Sequence, residues 1–153
     1  MTAGRMPAQP AALRDDPEAM YRTTFEVGTD GRLVTDITAS ISEFVAAIGG
    51  DGLVHAFLPH ATAGLALMET GSGSEEDLAR AIDRLLPRDD RYRHRHGAPG
   101  HGGDHLLPAF VGPSLVLPVE RGRLALGTWQ SVVIVDPNRD NNRRRVEIRF
   151  LSG

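Results

Sequence analysis

A chain of 153 residues, 41% hydrophobic and 24% charged, has the size and composition of one globular domain with a single core. Its net charge is -3 with no markedly basic half, which argues against nucleic acid as the main partner, since that binding rests on clustered lysines and arginines. It has no cysteine, so disulfides, thiolate metal sites and a cysteine nucleophile are excluded, and any metal must be held by His, Asp or Glu.

The first twenty residues are rich in Ala, Pro and charge and read as a flexible arm (1–20), with the domain proper over 21–153. They contain no apolar run of the signal-peptide kind, and no run elsewhere is long enough to cross a bilayer. A cytoplasmic protein without a membrane partner is therefore expected.

Tyr21 to Val27 alternates and is rich in β-formers, which predicts a strand; Thr29-Asp30-Gly31 then supplies a turn. Ile37, Ile41, Phe44, Val45 and Ile48 recur at helical spacing, and Gly49-Gly50 ends that helix. Leu53 to Leu58 predicts a strand interrupted by Pro59-His60, and Ala61 to Glu69 another containing Gly64. Ser74-Glu75-Glu76-Asp77 has the hydroxyl and acids of a helix start. Leu78, Ile82, Leu85 and Leu86 form that helix's apolar stripe, and Pro87 stops it.

From Tyr92 to His105 the chain is a Gly- and Pro-interrupted loop with four of the six histidines, at 94, 96, 101 and 105, and Asp104. Such a loop has neither the propensity for a regular helix nor the apolar residues for a core, but it can present imidazoles to one ion. A Gly-rich loop can bring 94, 101 and 105 together, although spacing alone does not force it, and the alternative is a solvated polar loop. The last third reads as strands: Leu106–Val111, Ser114–Val119, a long one from Leu124 to Asp136, and an alternating one through Val146, Ile148 and Phe150. The polar stretch Asp136–Asn142 predicts a hairpin between the last two. A lone Trp129 inside a strand reads as core, with Gln130 on the other face offering a donor and an acceptor. Two helices among seven or eight strands, without βαβ alternation, predict an α+β domain whose sheet is largely antiparallel. The apolar strands Leu115–Val119 and Leu124–Val135 offer more edge than a small monomer leaves uncovered, so an oligomer is expected.

Other candidates lie outside the loop. His60 follows a strand and a proline, and Thr62 with the amides near Gly64 could donate to an anion. Glu69 at a strand end could act as a base. Arg143-Arg144-Arg145 could make paired hydrogen bonds to a phosphate or carboxylate.

Leu58-Pro59-His60-Ala61-Thr62-Ala63-Gly64-Leu65 with Glu69, Tyr92-Arg93-His94, His105, Gly112-Pro113-Ser114-Leu115 and Gly122-Arg123-Leu124-Ala125-Leu126-Gly127-Thr128-Trp129-Gln130 together resemble the YjbQ-like family, also described as secondary thiamine-phosphate synthase enzymes. The resemblance spans about Tyr21 to Phe150. It implies a YjbQ-like α+β fold, assembly as a homotrimer, and a pocket lined by His60, His94 and His105, with Glu69 and Gln130 as family positions. The implied reaction joins a pyrimidine pyrophosphate to a thiazole phosphate, a modest side activity in the family. Two positions depart from the pattern: Met68 and His101 stand where Asn is usual.

Residues and resemblance together predict a metal-assisted enzyme acting on a small phosphorylated metabolite. Its metal ligands would be His60, His94, His101 and His105, holding a divalent zinc or magnesium ion. The catalytic set would be Glu69, Gln130 and His60, and the ligand-binding set Thr62, Ser114, Arg143 and Arg145. The alternative is a non-catalytic trimer that binds a metal or an anion.

Overall fold

The computed structural model describes residues 20–153; the proposed arm, apart from Met20, lies outside them. Eight strands fall in two antiparallel sheets: β1 (Met20–Gly28), β2 (Val34–Asp36), β3 (Gly52–Phe57), β4 (Gly64–Met68), β5 (Ser114–Glu120), β6 (Arg123–Leu124), β7 (Ser131–Val135) and β8 (Arg143–Ser152). The larger sheet runs β1-β8-β3-β5-β6 and the smaller β2-β7-β4. The helices are α1 (Thr38–Ile48), α2 (Ser74–Leu85) and α3 (His101–Asp104). The domain is α+β, as the pattern of elements predicts.

The small sheet is the middle layer. Along β7, Val132 and Ile134 enter the main core with α1 and the large sheet, while Val133 and Val135 pack with Ile82, Leu86 and Leu107 on the opposite face. A strand buried on both faces carries a continuous apolar run instead of an alternation, as Val132–Val135 does. β8 alternates because only one face is covered: Val146, Ile148 and Phe150 are inward and fully buried. The outer face carries a row of cross-strand neighbours Met20, Leu151, Leu53 and Pro118. Met20, Leu53 and Leu151 of that row, and Val116 in the next, are about half exposed or more.

Several expectations are corrected. The long strand expected from Leu124 to Asp136 is cut in two, because Gly127 to Gln130 forms a tight turn. Gln130 N–H donates to the Gly127 carbonyl at 3.0 Å, and Gln130 Oε1 accepts the Gly127 N–H at 2.8 Å. Trp129 sits on that turn, 73% exposed, and is not core. Asp136–Asn142 is no hairpin loop, since β7 and β8 belong to different sheets. Leu106–Val111 is not a strand: Leu107–Ala109 is a 3-10 turn whose Leu107 carbonyl accepts both Phe110 and Val111 N–H at 2.8 Å. At α2 the first turn is closed by the Glu75 carboxylate accepting the Gly71 N–H at 2.8 and 2.9 Å, not by the Ser74 hydroxyl, and Leu85 faces solvent. A third helix, α3, forms inside the Gly- and Pro-rich loop.

Candidate metal centre

α3 organises the histidine loop. Gly100, at φ 81, adopts the left-handed conformation that turns the chain into the helix. Gly102 is essential for what lies over it: a Cβ there would stand 2.6 Å from Tyr92 Cβ and 2.8 Å from the His94 carbonyl. Without a side chain at 102, Tyr92–His94 lies directly on α3, which brings His94 over the helix. Gly97 does the same for the returning chain, since a Cβ there would meet the His101 ring at 2.9 Å. His101 and His105 are one helical turn apart and so share a face. Backbone geometry thus draws all four rings together.

The ligand nitrogens of His94, His96, His101 and His105 all lie within 4.8 Å of one another. His101 Nε2 and His105 Nε2 are 2.6 Å apart, so one ring donates its N–H to the other's lone pair. Ring centroids stand 4.0 Å apart for His94 and His96, and 4.2 Å for His94 and His105. Burial, and then the neighbouring imidazoles, hold His94 and His105 below the ordinary histidine range, which favours the neutral, metal-binding form. His101 is buried, whereas His94 and His96 are exposed, so the cluster opens to solvent on one side. There it borders a cavity of about 290 Å³ lined in part by Asp89, Asp90, Tyr92 and Arg95.

A polar layer stands behind the rings. His101 Nδ1 lies 2.8 Å from the Asp140 carboxylate. Asn138 Nδ2 donates to Asp104 Oδ2 at 3.2 Å, and Asn138 Oδ1 accepts the N–H groups of Asp140 and Asn141 at 3.1 and 3.2 Å. Asp104 also pairs with Arg88, whose guanidinium donates to the Pro137 carbonyl at 3.0 Å. The layer continues through Asp136, which accepts Asn138 N–H at 3.1 Å and Arg144 Nε at 2.8 Å.

His60 does not join the four rings. Its Nε2 accepts the Arg145 N–H at 2.9 Å, which ties the ring to β8 beside the buried Arg144–Asp136 pair. Thr62 is buried there too, accepting Arg144 Nη2 at 3.4 Å. Ser114 lies in the same row of the large sheet as Phe57 and Glu147. The arginines expected to hold an anion each face a carboxylate: Arg143 faces Glu26, Arg144 faces Asp136 and Arg145 faces Glu147. Glu69 and Gln130 lie at the other end of the small sheet, because Met68 pairs with Ser131 while Gly64 pairs with Val135. A five-residue strand spans roughly 15 Å, and that length separates them from the Asp136–Asp140 stretch touching His101. Within one chain neither reaches the rings. That end holds instead an open groove of about 760 Å³ between β2 and the start of α2.

Sequence reasoning left His96 out of the ligand set, although its spacing was no worse than that of His94. Asp140 and Asn138 carried no signal beyond a polar loop, because their role depends on contact with residues some forty positions away.

Comparison with known proteins places the chain in a family and matches its fold. The family model described as "UPF0047 protein YjbQ-like" matches residues 23–153. The UPF0047 protein Rv2556c of Mycobacterium tuberculosis is 56% identical over 134 residues, covering 88% of this chain and 100% of that protein. The UPF0047 protein YjbQ of Escherichia coli O157:H7 is 33% identical over 103 residues, covering 67% of this chain and 74% of its own. A YbjQ-like protein of unknown function from Sulfolobus solfataricus P2 superposes with a TM-score of 0.81 at 25% identity, covering 88% of this chain and 99% of its own. A hypothetical protein, APE1520, from Aeropyrum pernix K1 gives 0.78 at 30% identity, covering 86% and 98%. The chain belongs to the UPF0047 YjbQ-like family.

Proposed function

We propose that the chain binds a divalent transition metal on His94, His96, His101 and His105 and uses that site on a small phosphorylated metabolite. One observation carries the reading: four imidazole nitrogens within 4.8 Å of one another, contributed by two stretches of chain, 94–96 and 101–105. Tetrahedral zinc at ~2.0–2.1 Å from each nitrogen sets the nitrogens about 3.3 Å apart, so adjustments of about an ångström complete the site. Between zinc and magnesium, an all-nitrogen set favours zinc, since magnesium prefers oxygen ligands and retained water. His94 and His96, being exposed, are the ligands that can yield a position to water or substrate, as a catalytic site requires. A metal there polarises a phosphoryl oxygen. His60 and Thr62 lie beside the Arg144–Asp136 pair, through which the polar layer behind the rings continues. Glu69 and Gln130 enter this reading only from a neighbouring copy. The apolar row Met20–Leu151–Leu53 supports such an assembly, and the resemblance to the family supplies the number three.

Zinc titration of the metal-free protein with calorimetry, followed by turnover assays, tests the reading. One zinc per chain is expected, lost in a His101→Ala, His105→Ala double variant, with the far-ultraviolet circular dichroism retained. Pyrimidine pyrophosphate plus thiazole phosphate is the first substrate pair, with simple phosphate monoesters as the second. No zinc uptake at micromolar metal overturns the site. Zinc uptake without turnover of any phosphorylated compound favours the non-catalytic alternative.

A further inference from the structure

We propose that Asp140, braced by Asn138, is a positioning residue of the histidine cluster: it fixes His101 as the Nδ1–H tautomer and so aims the Nε2 lone pair at the site. The proposal rests on the metal reading above for its purpose, but the geometry of the clamp stands on its own.

Two groups approach His101 Nδ1, and they make opposite demands on it. The Asp140 carboxylate, at 2.8 Å, can only accept, so it requires a proton on Nδ1. The Asn138 carboxamide, through Nδ2 at 3.1 Å, can only donate, so it would require a lone pair there. The orientation of Asn138 is not free to change. Its oxygen takes the N–H groups of Asp140 and Asn141, and its nitrogen faces the Asp104 carboxylate at 3.2 Å. Reversing the amide would set an oxygen against a carboxylate and an NH₂ against two N–H donors. Conflict at Nδ1 is therefore resolved by strength. A bond to an ionised acceptor is roughly twice as strong as a neutral one, and a lone pair 2.8 Å from a carboxylate oxygen would be repelled. Nδ1 carries the proton, and Asn138 gives its hydrogen to Asp104.

Three consequences follow for the cluster. Nε2 of His101 is unprotonated and faces inward, where His105 Nε2 donates to it across 2.6 Å while no metal is present. His105 would offer Nε2 to a metal only as its Nδ1–H tautomer. The carboxylate also fixes the ring against rotation, as acidic partners of metal-bound histidines do. Asn138 is the brace, because its oxygen holds the very amide of Asp140 and its side chain is buried.

The experiment has two independent readouts. In the metal-free protein, long-range ¹H–¹⁵N spectra of ¹⁵N-histidine report each tautomer: His101 is expected as Nδ1–H in the wild type and shifted toward the other tautomer in Asp140→Ala. In zinc titrations, Asp140→Ala is expected to lose 10- to 100-fold in affinity. Asp140→Asn, which keeps a carbonyl acceptor, should recover much of that loss. Asp140 is a partly exposed loop residue, and thermal melting of both metal-free variants checks that the fold is unchanged. An Nε2–H tautomer at His101 in the wild type overturns the proposal, as does wild-type zinc affinity in Asp140→Ala. If the wild type takes no zinc, the metal reading fails and the tautomer spectrum alone decides whether Asp140 clamps the ring.

Discussion

Replacing Arg144 with methionine tests whether the polar layer behind the histidines is structural. The Arg144 and Asp136 side chains are 2% and 0% exposed. The Asp136 carboxylate accepts Arg144 Nε at 2.8 Å, Arg144 Nη2 at 3.0 Å and the Asn138 N–H at 3.1 Å. Arg144→Met removes two of these three donors and leaves a buried charge with one neutral amide. Breaking one partner of such a pair typically costs ~3–5 kcal/mol. A domain of this size is stable by only about 5–15 kcal/mol, so the loss is a large part of the whole. It corresponds to a fall in Tm of roughly 6–20 °C, at about 2–4 °C per kcal/mol. Net attraction between the charges is a separate quantity, and the double variant Asp136→Asn, Arg144→Met isolates it. With no charge left to strand, the double variant should recover more than half the loss. Urea unfolding of the metal-free wild type, single and double variants gives all the differences. A single variant within ~1 kcal/mol of wild type would show that water reaches Asp136, and a double variant no better than the single would refute the stranded-charge argument.

Three further outcomes are expected. Gly64→Ala should destabilise by about 3 kcal/mol, the upper range for overpacking, because its Cβ would stand 2.0 Å from the Val111 carbonyl oxygen; an unchanged urea midpoint would count against this. Trp129→Ala should change the stability of the dilute single chain by less than ~0.5 kcal/mol, since the ring is 73% exposed, and a loss of several kcal/mol at micromolar concentration would instead show it covered in an assembly. His60 is held below the ordinary histidine range, by burial first and then by the Arg144 charge, so between its folded value and the unfolded value near 6.5 the unfolded chain binds more protons than the folded one. Stability should therefore rise as pH increases through that window up to about 6.5. The His94 and His105 shifts act in the same direction, so His60→Gln should flatten the slope in urea melts at pH 5–7.5 without abolishing it. A slope of the opposite sign refutes the assignment.

How much of this was legible in the sequence depended on how locally each feature is determined. β1, α1, β3 and β8 follow from periodicity, because one face of each meets a core and the other does not. Leu106–Val111 and Leu124–Asp136 misled because an apolar run need be neither a strand nor buried: Leu106, Phe110 and Trp129 are exposed. Pro108 and the Gly127–Gln130 turn break those two runs into shapes that composition alone does not reveal. For Trp129 the error ran the other way: an indole was read as core from its neighbours, but the turn lifts it out.

The histidine loop shows why the site was half legible. Its imidazoles were conspicuous, and their convergence was open to a loop with so many glycines. Which rings converge, however, is decided by contacts of backbone on backbone. Gly102 admits Tyr92–His94 onto α3, Gly97 admits His96 beside His101, and the His60 ring is drawn away by the Arg145 amide. None of these contacts has a spacing rule. The same holds for Asp140, which lies 39 positions beyond His101, in a stretch whose composition reads only as a turn. Candidate ligands are recognisable by type, whereas the residues that orient them are ordinary polar groups made specific by the fold. For His101 that polar group is Asp140, which the β7–β8 connection sets 2.8 Å behind the ring.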